Sequence, residues 1–433
     1  MDFLSEFVYL ALIVVLIGVI NEKFTKFPYE IAMMLYSAIL GVLLILALWK
    51  LTSIPKIDDL LDMVKPYDME GFLVKGVLCF MLFAGSCHHK MTDIKNSIRH
   101  ISILAFVCTL LSTVFYAALF YGGTKLIGID LSIPVCLMFG SIIAPSDPIA
   151  ATGILKKFGL PKKISFLIET EALFNDGVGV ALFVCFSGMV SAKAAGASGG
   201  FLTVMFREIV GAAVVAIVVT FICYKLFKRS KNYVLKIFIS LLNVSMAYVF
   251  CEHFHFSGAL SVVICGIMFA TLRSKHEDQE EDAELFNSFW ETLDGLLNSI
   301  LYVMLGLSLI LVVRMGENMW HVIALSAIAI AANLISRVGG LSISTLFMGK
   351  LPDNYDKLNF IKLFTWAALR GGLSVALAMS TRSIFGKKGI ETYYIILGCT
   401  FAVVFFTTVI QGLTMTPLYN KVKASVARKN GTA

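Results

Sequence analysis

The 433-residue sequence predicts an all-α polytopic membrane protein, and two observations carry that prediction. Hydrophobic residues make up 58% and charged residues only 15%, whereas a soluble domain keeps about 25% charged residues so that its surface stays in water. Mean hydropathy is +0.84. The apolar residues also fall in long blocks, each close to the ~20 residues a helix needs to cross the hydrocarbon layer.

Reading the apolar blocks between charged or turn-rich breaks gives thirteen candidate spans, at approximately 7–20, 31–49, 72–87, 101–121, 131–151, 164–190, 203–227, 233–252, 257–273, 294–313, 320–348, 359–382 and 391–412. The first follows Asp2 and Glu6 instead of a basic leader and cleavage site, so it reads as a retained span. If the N-terminus lies outside, the cytoplasmic loops and tail hold more than twice the Lys and Arg of the external loops. That asymmetry is the positive-inside rule, and it explains the formal charge of +7 as orientation. The nine cysteines lie mostly inside the blocks without metal-ligand spacing, so they read as small apolar side chains.

No loop between spans is long enough for a soluble domain; the expectation is one integral-membrane domain over 1–433 with a short cytoplasmic tail, 413–433. The loop at 194–200, rich in Gly and Ala, reads as a flexible connection. The acidic run at 277–284 leads into Phe286, Phe289 and Trp290, which suggests an interfacial helix with a solvated acidic face.

Ionisable residues at membrane depth are expensive and mark function. Four groups qualify: Asp147, the trio Glu169, Glu171 and Asp176, Arg337, and Arg370; the other charges read as lying near block ends, where they can snorkel. Asp147 sits in Ala144-Pro145-Ser146-Asp147-Pro148, where two prolines remove two amide donors and interrupt the helix. The carbonyls freed there need protein, water or an ion as partner, so Ser146 and Asp147 suit a cation; a plain proline kink capped by Asp147 is the competing reading. In Glu169-Thr170-Glu171-Ala172-Leu173-Phe174-Asn175-Asp176, helical spacing puts Glu169, Ala172 and Asp176 on one face and Glu171 with Asn175 on the next. Three carboxylates so close cannot all stay charged in low dielectric without a proton, an arginine or a cation. Arg370 precedes Gly371-Gly372, which weaken its span, so spans 5 and 12 both read as broken. Two interrupted spans at corresponding places point to an inverted-repeat transporter site. Arg370 needs a carboxylate, and Glu171 is the preferred partner. Arg337 has two open readings, a second buried cation or a residue near the cytoplasmic end of its span. His88 and His89, and the pair His253 and His255, lack further metal ligands and read as interface histidines. Nothing resembles a phosphate loop.

With these residues placed, the chain resembles the NhaP-type sodium/proton antiporters of the monovalent cation:proton antiporter-1 family. The resemblance rests on Ser146-Asp147-Pro148 and Glu171-Ala172-Leu173-Phe174-Asn175-Asp176-Gly177. Supporting segments are Leu82-Phe83-Ala84-Gly85, Ser257-Gly258-Ala259-Leu260, Phe289-Trp290-Glu291, Leu297-Asn298, Leu369-Arg370-Gly371-Gly372 and Val409-Ile410-Gln411-Gly412. It implies thirteen helices, two inverted repeats (approximately 31–190 and 233–412) with two discontinuous helices, a core and a dimerisation domain, and a homodimer. It also implies that Asp176 binds cation or proton in turn, that Asn175, Asp147 and Ser146 order the site, and that Glu171 and Arg370 form a buried ion pair. Asn175 before Asp176 implies one cation per proton. Ala172 departs from the serine the family often carries, which removes a hydroxyl near the ion.

The expectation is therefore a secondary antiporter, not an enzyme, that exchanges H⁺ for a monovalent cation. Na⁺ is favoured, with Li⁺ or K⁺ as alternatives, and no cofactor or nucleic acid is called for. Potassium/proton exchange is the rival within the class; a gated cation channel or a non-transporting membrane sensor are the rivals outside it. The expected location is the cell (cytoplasmic) membrane, with the N-terminus outside and the C-terminus inside.

Overall fold

The structure, a computed structural model, describes residues 3–51, 76–147, 155, 158–190, 201–254, 256–274, 280–313, 319–386 and 389–429. The expectations for residues 72–75, Pro148, 194–200, His255 and 277–279 lie outside them. The described residues are helical, joined by turns and one isolated antiparallel bridge.

In chain order the helices are α1 (Phe3–Ile20), α2 (Tyr29–Leu51), α3 (Leu78–Ser86), α4 (Met91–Ser102), α5 (Thr109–Ile127), α6 (Ile133–Ile143), α7 (Lys162–Val190) and α8 (Phe201–Arg229). They continue as α9 (Tyr233–His253), α10 (Gly258–Arg273), α11 (Glu280–Val313), α12 (Met319–Met348), α13 (Lys357–Trp366), α14 (Gly372–Phe385), α15 (Ile390–Phe405) and α16 (Gly412–Lys429). A wide turn, Ile103–Cys108, joins α4 to α5, and another, Phe406–Gln411, joins α15 to α16 without leaving the helical path. Among the described residues nine helical stretches are long and apolar enough to cross a membrane, and Ile133–Ile143 and Gly258–Arg273 are shorter apolar helices. Trp320 and Phe206 leave most of their surface uncovered, as lipid-facing side chains do.

Local chemistry sets several boundaries. Asn232 caps α9 by accepting the amides of Val234 and Leu235, which ends the basic turn after α8. Ser257 likewise accepts the Leu260 amide at the start of α10. Pro134 occupies the first turn of α6, where a missing amide costs nothing.

One sequence expectation is corrected here. The segment before span 10 is not a separate interfacial helix: Glu280–Val313 is a single continuous helix. Phe286 and Trp290 do not anchor at an interface but are buried against Phe83 and Phe269. The physical reason is the aromatic cluster itself, which buries more apolar surface than an interfacial position offers. The continuity also places Asp294, read as a block-end charge, in the middle of a helix with 8% exposure.

Helices approach closely where side chains are smallest, as membrane packing requires when lipid is as apolar as leucine. A Cβ on Gly41 of α2 would collide with the Gly306 carbonyl of α11, and a Cβ on Gly306 would sit 2.6 Å from Ser37 C. Gly340 of α12 packs on the turn before α5 in the same way: a Cβ there would sit 3.1 Å from the Cys108 carbonyl oxygen. Replacing Gly306 with Val therefore forces α2 and α11 apart, at a cost of about 1–3 kcal/mol or more. The measured outcome should be a clear drop in the thermal unfolding midpoint of detergent-solubilised protein, while Gly122→Ala, where an added Cβ meets nothing within 4 Å, should leave it close to wild type.

Candidate functional site: a crossing of two broken helices beside an acidic cavity

Both broken spans expected from the sequence are broken in the structure. Helix α6 ends at Ile143, and residues 144–147 run on as irregular chain. Helix α13 ends at Trp366 and α14 starts at Gly372, leaving 367–371 unwound. The two unwound segments cross, and the Asp147 amide donates to the Leu369 carbonyl at 2.8 Å. Gly371 makes the crossing possible, because a Cβ there would sit 2.7 Å from Asp147 Cβ. Gly179 of α7 gives Pro145 room in the same way.

Freed backbone groups at this depth must find partners in the protein. Pro148 has no amide hydrogen for the Ala144 carbonyl. The Arg370 guanidinium takes that role: Nη1 donates to the Ala144 carbonyl at 2.7 Å and to the Pro145 carbonyl at 2.6 Å. Its Nε and Nη2 donate to Asn333 Oδ1 at 3.2 and 2.8 Å. The Arg370 backbone is itself held by Thr407 and Thr408 of the turn before α16, and the Ser374 hydroxyl donates to the Ile142 carbonyl at 2.7 Å.

This overturns the expected Glu171–Arg370 ion pair. Glu171 pairs with Arg337 at 2.6 Å, and both side chains are almost fully buried. Arg337 also approaches the Phe364 carbonyl and Cys108 Sγ. The reason is positional: Arg370 lies on unwound chain, where bare carbonyls claim its donors, whereas α12 and α7 both pack on the Ile103–Cys108 turn, beside which Arg337 reaches Glu171. Of the two open readings of Arg337, the buried cation is the one found.

Asn175 tethers α7 to the first break. Its Nδ2 donates to Ser146 Oγ at 2.9 Å, and its Oδ1 accepts the Ser146 amide at 3.2 Å. Fully buried Asn175 thereby positions its neighbour Asp176, which is partly exposed to a cavity of about 570 Å³. Ser146, Asp147 and Glu169 line the same cavity, and Glu169 also accepts the Ser165 hydroxyl at 3.0 Å. Ala172 is buried one turn earlier and lies outside the cavity wall. Among the described residues the Asp176 carboxylate has no hydrogen-bond or ion-pair partner.

The cavity contains groups that sequence reasoning missed. Glu30 from α2 and Glu291, Asp294 and Asn298 from α11 line it, and so do His88 and His89, read from the sequence as interface histidines. Six carboxylates and no Lys or Arg are among its described lining residues. Such a concavity attracts cations and repels anions. Its signal in the sequence was an Asp-x-x-x-Asn spacing, 294 to 298, that puts two polar side chains on one face of an apolar helix. No group of three or more His, Cys, Asp or Glu fit to hold a metal ion occurs among the described residues.

Residues 10–421 match the family described as sodium/hydrogen exchanger, transmembrane. The chain is 27% identical to the Na(+)/H(+) antiporter NhaP of Pseudomonas aeruginosa over 98% of its own length and 97% of that protein's. It is 30% identical to the Na(+)/H(+) antiporter NhaH of Halobacillus dabanensis, covering 92% of this chain and 93% of the other. Its fold is similar to that of the sodium proton antiporter MjNhaP1 from Methanocaldococcus jannaschii, with a TM-score of 0.76 over 98% of this chain and 99% of the other at 21% identity. With a match over nearly its whole length, the chain belongs to the transmembrane sodium/hydrogen exchanger family and is of the NhaP type.

Proposed function

We propose that the protein exchanges Na⁺ for H⁺ across a cell membrane, one cation per proton, by competition of the two ions for Asp176. The observation that carries this reading is an unpartnered carboxylate, Asp176, on the wall of an acidic cavity, beside Ser146 and Asp147 at the crossing of two broken helices. A carboxylate supplies oxygen to a hard cation or accepts a proton, and it cannot do both at once. Ser146 Oγ and the Asp147 carboxylate are the further oxygens within this wall.

Two features make coupling tight. Glu171 and Arg337 neutralise one another, and Arg370 is committed to carbonyls and Asn333, so neither arginine forms a fixed counter-ion for Asp176. A bare carboxylate is costly to enclose in low dielectric, so the site changes sides only when occupied by cation or proton. The reading brings with it two inverted repeats (31–190 and 233–412), a homodimer, and a cytoplasmic membrane location with the N-terminus outside. K⁺/H⁺ exchange is kept as the second reading because Ala172 brings no hydroxyl to the ion; Li⁺ and K⁺ are arms of the same assay.

Three outcomes are expected in proteoliposomes. First, Asp176→Asn abolishes cation-dependent proton flux while the protein still elutes as a folded particle; retained flux would sink the proposal. Second, because proton and cation compete, the apparent KM for Na⁺ rises in proportion to proton concentration as pH falls, with a common maximal rate, and clamping the membrane potential leaves the rate unchanged. A falling KM on acidification would contradict one shared site. Third, Arg337→Met destabilises the protein by about 3–5 kcal/mol, as loss of one partner of a buried pair does. Arg337→Met combined with Glu171→Gln recovers much of that loss, read as thermal midpoint, and Arg370→Met combined with Glu171→Gln does not.

A further inference from the structure

Asp294 is a buried carboxylate inside α11, 8% exposed, one turn beyond Glu291 on the same helix. It lines the cavity that holds Asp176, but from a different element: Asp176 stands on α7 beside the α6 break, whereas α11 packs on α2. One helical turn on, Asn298 shares its face. Asn298 Nδ2 donates to Asp294 Oδ2 at 3.3 Å, which fixes the amide so that its oxygen points away. That oxygen, Asn298 Oδ1, is buried without a hydrogen-bond partner, and Asn298 is 6% exposed. It faces Gly372, also on the cavity wall, where a Cβ would come within 2.8 Å of it.

An orphaned buried acceptor is destabilising unless something meets it. Beside it stands a second oxygen group, the Asp294 carboxylate, and Glu30 of the neighbouring α2 lines the same space. The described cavity wall offers no Lys or Arg to satisfy either. Two oxygens held one turn apart, a third carboxylate nearby and room for water form the donor set of a loosely hydrated hard monovalent cation.

We propose that Asp294 and Asn298 form a second site for the transported monovalent cation, a loading station in the cavity that raises the local cation supply to Asp176. The proposal rests on the reading of Asp176 as the exchange site. The station differs from it in kind: Asp294 keeps a hydrogen bond from Asn298, so it holds the cation weakly and hands it on, whereas the Asp176 carboxylate has no such partner among the described residues.

The test uses full-length protein, with radioactive sodium as the probe. Purified Asp176→Asn protein should keep weak, saturable sodium binding, and adding Asp294→Asn should remove it. In proteoliposomes with Asp176 intact, Asp294→Asn should raise the apparent KM for Na⁺ by about fivefold or more, equivalent to ~1 kcal/mol of lost affinity, with a smaller fall in the maximal rate. Asp294→Glu should return KM toward wild type, and Asn298→Leu should raise it. An Asp176→Asn protein without saturable sodium binding, or an Asp294→Asn protein with unchanged KM, overturns the loading station while leaving the exchange site standing. Exchange that persists in Asp176→Asn overturns the exchange site instead. Where Asp294→Asn does not fold, Asn298→Leu and Asp294→Glu decide the same question through KM.

Discussion

The site depends on one contact, the Arg370 guanidinium on the carbonyls of Ala144 and Pro145. Those carbonyls lie just past the negative end of α6, where a positive group is most favourable. Without the guanidinium, the Ala144 carbonyl, which Pro148 leaves without an amide, and the neighbouring Pro145 carbonyl would lie bare at membrane depth. Arg370 also needs them, because a buried arginine cannot shed its charge. The contact therefore satisfies an orphaned cation and two orphaned acceptors together. It also ties the two breaks to each other, with the Asp147–Leu369 bridge as the neighbouring stitch. Asp147 takes its place from that bridge, and Asp176 takes its place from Asn175, which is hydrogen-bonded to Ser146 in the same unwound segment.

Separating the two arginines gives the site its electrostatics. Had Arg370 paired with Glu171, the α6 carbonyls would have lacked a cation and Arg337 would have been left unneutralised. The observed division closes one ion pair inside the packed helices and devotes the other arginine to backbone. What remains toward the cavity is a lining of six carboxylates with no Lys or Arg among the described residues, and Coulomb attraction in a partly dehydrated space is several-fold stronger than in water.

The breaks, the acidic trio and both arginines were legible in the sequence, because prolines, paired glycines and charged residues inside apolar blocks contradict a plain membrane helix. The arginine partners were not. Glu171 lies at a similar sequence remove from Arg337 and Arg370, and pairing across helices depends on which element α7 packs against, which no local pattern encodes. Asp294 was missed for a different reason. It stands at the polar end of an apolar block, and only the continuity of Glu280–Val313 places it mid-helix. The run from Glu284 to Trp290 looked interfacial because its aromatic residues would suit either an interface or a core. Their burial against Phe83 and Phe269 is a tertiary fact.

The cavity also constrains how exchange proceeds. One wall is made by the breaks and α7, which are cross-linked by Arg370, Asn333, Ser374 and Asn175 into a unit that cannot deform without losing several buried hydrogen bonds at once. The facing wall, α2 with α11, is held together by the Gly41–Gly306 contact, where backbone meets backbone. Along the cavity the two walls are separated by space that water can fill, and they meet where Gly372 packs on Asn298 and Leu301 of α11. A packed, hydrogen-bonded body moves as a whole more readily than it bends. Alternating access at Asp176 is then expected to come from the break-bearing wall shifting against α2 and α11. Asp147, Ser146 and Asp176 would travel together with their geometry intact, and Asp294 and Asn298 would stay behind on the stationary wall.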